Sequence, residues 1–404
     1  MRKHMDDVAG HLAVVTIVAR VGHRVFFKRQ DAGEDLGKLI VRNQDSGTER
    51  VLLDPNSLTK DGHHVSIDQF QPSQDGRYVA VGVSPAGSEE DVLRVVDADT
   101  GQVLPDSIDR ARFASPSWLP DGRSFLYNRL RVAGPHEAPA DRFTNNRVFL
   151  HHLGGDPDQD LPVFGAAVGE LKTIAPSDFV AVSVLTGTRY AVGIQSDGVS
   201  PEIGLYVSKL PDRGDTGFNW TRLAEAADGI VDFTASRDTL YLRTHRNAPR
   251  YKVISVSLDA PDLKTAKQIV PPGDAVITNI AAASDGLFVA GRRGAASFLE
   301  RIGDDGKPVE LKLPRAGTIA EGSGGDLTAD PRVPGAFVGL ATWVTPAAWF
   351  ASGSGDTPEF ADLGITPHTE APTDYLMTET TIAARDKTIL PLSIIEKKGN
   401  AARP

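Results

Sequence analysis

The phrase Ser117-Trp118-Leu119-Pro120-Asp121-Gly122-Arg123-Ser124-Phe125-Leu126-Tyr127 constrains the fold more than any other part of the chain. A polar turn closed by Asp-Gly runs straight into Phe125, Leu126 and Tyr127, all good strand formers. Glycine accepts positive φ, and an Asp side chain caps such a turn through the backbone that follows it. The same phrase stands 46 residues earlier as Gln71-Pro72-Ser73-Gln74-Asp75-Gly76-Arg77-Tyr78-Val79-Ala80-Val81. A turn-then-strand unit repeating at this period predicts β-propeller blades, each a sheet of four short strands radiating from an axis.

The rest of the chain keeps that rhythm and shows almost no sustained helical periodicity, so the fold class expected is all-β. Residues 24–29, 38–42 and 49–53 read as three strands of a first blade, with 78–83 and 92–96 in a second. Stretches 125–129, 147–151 and 161–164 supply a third, and 190–194, 204–207 and 220–223 a fourth. Residues 238–243 with 250–256, 284–290 with 296–302, and 335–340 with 348–350 give a fifth, sixth and seventh. From Arg24 to Leu363 this is about 49 residues per unit, the usual blade size, with six or eight blades as the alternatives. The rhythm then stops. Residues 376–383 and 388–396 alternate as strands across Arg385-Asp386-Lys387, forming a hairpin that is marginal alone. Its Leu390, Leu392, Ile394 and Ile395 need a covering surface.

Totals exclude some functions. With 43 Lys and Arg against 53 Asp and Glu, the net charge of −10 argues against nucleic-acid binding. The absence of cysteine rules out a disulfide framework, thiolate metal sites and a cysteine nucleophile. Leu12 to Ala19 is apolar and follows Arg2 and Lys3 in the manner of a signal peptide. Asp6, Asp7 and Arg20 interrupt the pattern, however, and no A-x-A site follows. No run reaches the ~20 apolar residues of a membrane helix. A soluble, cytoplasmic protein without membrane or nucleic-acid partners is the expectation, with periplasmic or secreted placement as alternatives.

Several stretches are specific enough to resemble a known family. Asp31-Ala32-Gly33-Glu34-Asp35, residues 49–58, residues 75–80, residues 98–106 and Trp118-Leu119-Pro120-Asp121-Gly122 are similar to the propeller of prolyl oligopeptidases. His152-Leu153-Gly154-Gly155-Asp156-Pro157-Asp158-Gln159-Asp160 resembles the loop of its third blade. Pro391 to Gly399 resembles the segment leading back into its peptidase domain. The resemblance runs in the family's order over residues 21–399. It implies a seven-bladed propeller capping an α/β-hydrolase domain, whose Ser-Asp-His triad cuts short peptides after proline. It also implies that the propeller screens substrate size, and that its first and last blades share no sealing strand. Two departures are expected at the ends. The family's N-terminal helical segment is largely absent, and the triad-bearing region would follow Pro404.

Candidate chemistry in the chain itself is thin. No G-x-S-x-G nucleophile elbow occurs, so no catalytic residue is assigned. Gly322-Ser323-Gly324-Gly325 and Gly353-Ser354-Gly355 lack the elbow's spacing and read as turns. Neither has the Lys-Ser or Lys-Thr of a phosphate loop. Adjacent histidines, His63-His64 and His151-His152, point to opposite faces of a strand and cannot readily share an ion. Glu89, Glu90 and Asp91 cluster at an expected turn. Arg213-Gly214-Asp215 spells an adhesion tripeptide but reads as a plain loop. No metal or cofactor is expected. By resemblance, Phe113 matches a phenylalanine facing the family's substrate cleft, while burial between blades is the ordinary alternative for an aromatic. At the other cleft-facing loop, Ser196-Asp197-Gly198-Val199-Ser200 lacks the arginine and cysteine that the resemblance leads one to seek.

The sequence therefore predicts a short segment over 1–20, a seven-bladed propeller over 21–366, and the first strands of a truncated hydrolase domain over 372–404. The function implied is the substrate-gating portion of a prolyl-oligopeptidase-like serine endopeptidase, inactive alone. Its partners would be a peptide substrate or a separate peptidase domain. The alternatives are a stand-alone propeller scaffold binding peptides or proteins, or half of a split peptidase.

Overall fold

A computed structural model describes residues 13–59, 64–85, 88–132, 134–212, 217–320, 326–345, 347–355, 358–366 and 374–399. His63, Arg213-Gly214-Asp215 and Gly322-Ser323-Gly324-Gly325 lie outside them.

The Asp-Gly turns behave as their chemistry dictates. Gly76 and Gly122 adopt φ of 72° and 64°. Asp121 Oδ1 accepts from the amides of Arg123 and Ser124, both at 2.9 Å, and Asp75 Oδ1 accepts from Arg77 N at 3.1 Å. Each turn joins the first strand of a blade to the second. A side chain at Gly122 would collide with the preceding turn, since a Cβ there would sit 2.8 Å from Asp75 Oδ2.

Seven four-stranded antiparallel sheets follow one another along the chain, each built only from consecutive strands. Blade 1 comprises Val14–Val21, Arg24–Gln30, Lys38–Asn43 and Glu49–Leu53, and blade 2 Val65–Pro72, Tyr78–Pro85, Val92–Asp97 and Val103–Ile108. Blade 3 is Ser117–Trp118, Ser124–Arg129, Arg147–His152 and Leu161–Gly165, and blade 4 Phe179–Val184, Tyr190–Ser196, Gly204–Lys209 and Thr221–Ala224. Blades 5, 6 and 7 start with Ile230–Ser236, Val276–Ala283 and Leu327–Ala329, and blade 7 ends with Phe360–Asp362. Tyr375–Ala383 and Ile389–Lys397 then pair only with each other. Among the described residues there is no α-helix. This is an all-β seven-bladed propeller followed by a hairpin.

First strands of most neighbouring blades pack on one another, those of blades 7 and 1 included, which places them around the axis. The expected strands are nearly all second, third and fourth ones. Most first strands escaped the alternation pattern, because bulges at Thr16/Val18, Ile67/Gln69, Ile230/Asp232 and Ile277/Asn279 break their period. Blade 1 also starts at Val14 rather than near residue 21, since residues 14–19 of the signal-like stretch lie in its axial strand.

The ring closes without a shared strand. Val15, Val25, Phe27 and Ile40 of blade 1 instead form one buried cluster with Phe337, Trp349, Leu363 and Ile365 from the blade 7 side. Burying such side chains contributes about 1.5–3 kcal/mol each.

Because every sheet is antiparallel and sequential, loops fall on two faces. Turns between first and second, or third and fourth, strands lie on one, the turn face. Loops between second and third strands, and the crossings between blades, lie on the other. The hairpin follows the last strand of blade 7, so it leaves from this crossing face. It approaches blades 6 and 7, where Arg315, Trp343 and Met377 help line a cavity of about 450 Å³.

Candidate functional site

The crossing from blade 2 to blade 3, residues 109–116, is held from several sides on the crossing face. Arg110 and Ser115 both take left-handed backbone, with φ of 57° and 41°. Such non-glycine geometry persists only where its surroundings enforce it. Here Leu130 N donates to Arg110 O at 3.0 Å, Asn128 N to Ala114 O at 2.7 Å, and Ala111 N to Asp91 O at 3.0 Å. Gln69, from the axial strand of blade 2, reaches both ends of the loop. Its Nε2 donates to Ala111 O at 3.3 Å, and its Oε1 accepts from Ser115 N at 3.2 Å.

Fixing the loop at both ends turns Phe113 outward. It is 40% exposed, so burial between blades does not describe it. Its ring meets the edge of Phe179 at 5.5 Å and lies 6.3 Å from Phe143. The Arg112 guanidinium sits over both Phe113 and Phe143, at 5.1 and 5.7 Å, and Arg142 covers Phe143 at 4.8 Å. Glu89 pairs with Arg112, and Glu90 with Arg142 at 2.6 Å. The acidic run read as a turn thus anchors two arginines on an aromatic patch. Phe143, Phe179 and Arg112 were not singled out from sequence, although the paired Arg-Phe dipeptides at 112–113 and 142–143 are a readable signal.

Phe179 also ties in the second loop. Gly198, at φ 78°, lies so close that a Cβ would sit 2.8 Å from its ring. The loop closes on Asp197, which accepts from Val199 N at 2.9 Å and from Ser200 N and Oγ at 2.7 Å each. Those bonds, the Ser200 hydroxyl first, hold its carboxyl below the ordinary value. The two loops singled out from sequence are therefore neighbours across one aromatic ring. Beyond them opens a cavity of about 550 Å³, with Gln195, Asp197, Glu202 and His245 in its lining. His245 Nε2 faces Glu202 at 2.8 Å, and Gln195 Nε2 donates to Asp178 Oδ2 at 2.6 Å. The patch can stack an apolar or ring-bearing side chain, and the cavity offers carboxylates to amide or cationic groups.

Ser124 Oγ lies 2.7 Å from His152 Nδ1, but it also donates to Asp121 Oδ2 at 2.7 Å and is 1% exposed. It belongs to the turn face, away from the aromatic patch. Gly353-Ser354-Gly355 also sits on the turn face, between the last two strands of blade 7. His151 and His152 do diverge across their strand, the first buried and the second exposed.

Comparison with known proteins places the chain. The family model for the prolyl oligopeptidase N-terminal β-propeller domain matches residues 13–354. The chain belongs to the prolyl oligopeptidase family. It is 24% identical to a prolyl endopeptidase of Elizabethkingia miricola over 388 residues, covering 94% of this chain and 51% of that one. It is 26% identical to prolyl oligopeptidase A of Amanita bisporigera over 251 residues, covering 55% and 30%. A solved prolyl endopeptidase superposes with a TM-score of 0.80 at 26% identity, covering 99% of this chain and 57% of that one. Prolyl oligopeptidase B of Galerina marginata shares the fold, with a TM-score of 0.81 at 19% identity. This prolyl oligopeptidase propeller thus spans about half the length of the curated relatives it matches.

Proposed function

We propose that this chain is the substrate-screening propeller of a proline-directed serine peptidase and that an α/β-hydrolase half supplies the chemistry. The hairpin carries the reading. Neighbouring residues on a strand point to opposite faces. Ile389 and Leu390, and again Ile394 and Ile395, are all exposed, as are Leu376 and Ile382. Both faces of the hairpin are therefore apolar, the pattern of strands that belong inside a sheet covered on both sides. A free-standing scaffold would not keep such an edge. Hairpin, aromatic patch and the 196–200 loop share the crossing face, so a hydrolase half seated there would meet all three. Phe113 then faces the peptide, and the polypeptide by itself does no chemistry. A proline-directed fluorogenic peptide incubated with the purified chain should give no turnover above a protein-free blank. Turnover that tracks the chain through purification would overturn the proposal.

A further inference from the structure

Gln69 reaches the Phe113 loop along a path that the sequence keeps clear. Its side chain leaves the axial strand of blade 2 and crosses the second strand at Gly82, its partner in the sheet. A Cβ on Gly82 would sit 2.6 Å from Gln69 Cγ and 3.0 Å from Asp91 Oδ2. Gly82 takes no positive φ, so this glycine provides space rather than backbone freedom. Beyond the crossing, Gln69 Nε2 donates to Asp91 Oδ2 at 2.9 Å. Asp91 precedes the third strand, Val92–Asp97, and is 3% exposed. The same nitrogen donates to Ala111 O, so both its hydrogens are used and the amide oxygen is turned to Ser115 N. Asp91 thereby orients the amide that grips both ends of the loop.

A second carboxyl group faces the first. Asp68 is the extra residue of the bulge at Ile67/Gln69, and it accepts from Ser66 Oγ at 2.8 Å and from the Ser84 hydroxyl. Its oxygens therefore act as acceptors, and what they offer Asp91 is an acceptor too. A protonated Asp91 donates to Asp68 while accepting from Gln69, and the three side chains fit together. An ionised Asp91 instead sets one carboxylate against another with Asp91 buried. Burial first, with the Asp68 charge added, pushes the Asp91 carboxyl up to about 6, against the bond from Gln69 and the charge of Arg112. Two cations stand around the pair. Lys28 of blade 1 donates to Ile67 O at 2.6 Å and feels the Asp68 charge. Arg112 is paired with Glu89 and laid over Phe113 and Phe143.

We propose that Gln69 is the positioning residue for Phe113 and that the proton on Asp91 sets how firmly it holds. With the proton in place, the loop is clamped at both ends. Without it, Asp91 and Asp68 repel, and Gln69 loses the partner that orients its amide. Both ends of the loop then loosen together, and Phe113 leaves its fixed place beside Phe179. The hold on the loop stands by itself, and only its bearing on a peptide rests on the function proposed above.

Because the folded carboxyl is raised, the hold is complete at low pH and is lost as pH climbs from 3.8 through about 6. Hydrogen exchange over residues 109–116 reads it, corrected for the intrinsic rate at each pH and compared with Lys252–Ser257 of blade 5. In the parent chain, protection should fall about tenfold from about pH 4.5 to about pH 7, within the limit of about tenfold per pH unit for one proton. Asp91→Asn keeps an acceptor for Gln69 and gains an N–H for Asp68, so its protection should stay high at both pH values. Gly82→Ala blocks the crossing and should give low protection at both. If that variant does not fold, Gln69→Met removes the same bonds. Flat protection in the parent would overturn the role of the proton, and a pH dependence that survives in Asp91→Asn would overturn its assignment to Asp91. High protection in folded Gly82→Ala or Gln69→Met would overturn Gln69 as the residue that holds the loop. In an assembled enzyme, the ratio of KM between parent and Asp91→Asn should rise with pH in step with the lost protection, with kcat in a constant ratio. Lost protection without that rise would support the positioning and overturn the reading that Phe113 meets the peptide.

Discussion

Replacing His151 by glutamine should destabilise the ring in a manner that fades as pH rises. His151 lies on the third strand of blade 3 with a fully buried side chain, and both ring nitrogens face carboxylates. Nε2 is 3.0 Å from Asp106 of blade 2, and Nδ1 is 2.9 Å from Asp160. Tyr127 Oη donates to the same Asp160 oxygen at 2.8 Å, and Gly154 N to Asp106 at 2.7 Å. A ring that donates from both nitrogens is an imidazolium. Burial alone would lower its pKa, but the hydrogen bonds and charges of Asp106 and Asp160 outweigh burial and raise it to about 9. On Asp106, burial likewise works against the charge and is outweighed by the bonds from His151 and Gly154, so its carboxyl sits below the ordinary value. A rise from 6.5 to about 9 corresponds to about 3 kcal/mol at 1.36 kcal/mol per unit. Partial screening brings the working figure to about 2–3 kcal/mol. Since the folded pKa is raised, this stability is fully present below about pH 6.5 and is lost as pH climbs through about 9. For a ring of this size, the unfolding entropy of about 2 cal/mol/K per residue turns the loss into a shift of about 3–4 °C in Tm. Thermal melts of parent and His151→Gln should therefore differ by that margin at pH 6 and converge at pH 10. A gap of the same size at both pH values, or none at pH 6, would refute a charged histidine bridging blades 2 and 3.

Other outcomes follow from the same geometry. Trp349→Ala removes the largest side chain of the cluster joining blades 7 and 1. It should cost about 3–5 kcal/mol and show first as faster hydrogen exchange along Val14–Val21. Ile394→Lys together with Leu390→Glu should reduce self-association in sedimentation at high concentration while leaving Tm within a degree or so, because both side chains are exposed. A clean monomer of the unsubstituted chain under those conditions would count against the sticky hairpin. In an assembled enzyme, Phe113→Ala should raise KM for proline-containing peptides by about tenfold, the scale of a lost aromatic contact. The melt should be unaltered, since the ring is partly exposed on a loop held from its ends.

The sequence made the outer parts of the ring legible and the axis much less so. Phe125–Arg129 and Tyr78–Val83 stand out because Asp-Gly turns precede them and alternation or apolar runs follow. Val65–Pro72 and Ile230–Ser236 do not, because a bulge shifts their register and puts Asp68 and Asp232 into otherwise apolar strands. Val14–Val21 was masked by its likeness to a signal segment. At the candidate site, Phe113 and Ser196 to Ser200 could be picked out only through family resemblance. Their adjacency through Phe179 is a tertiary fact that neither loop encodes. The Asp330–Arg332 ion pair escaped for a similar reason, since Asp-x-Arg in a turn is unremarkable until a ring brings Gln74, Gly22 and Gly187 to it.

We propose that the seven sheets shield a reaction centre supplied by a hydrolase half. A fluorophosphonate probe, which reacts covalently with an activated serine, tests it most directly when applied to the folded chain and read by intact mass. The account predicts no adduct at any serine. A stoichiometric adduct at one serine, abolished by unfolding, would contradict it.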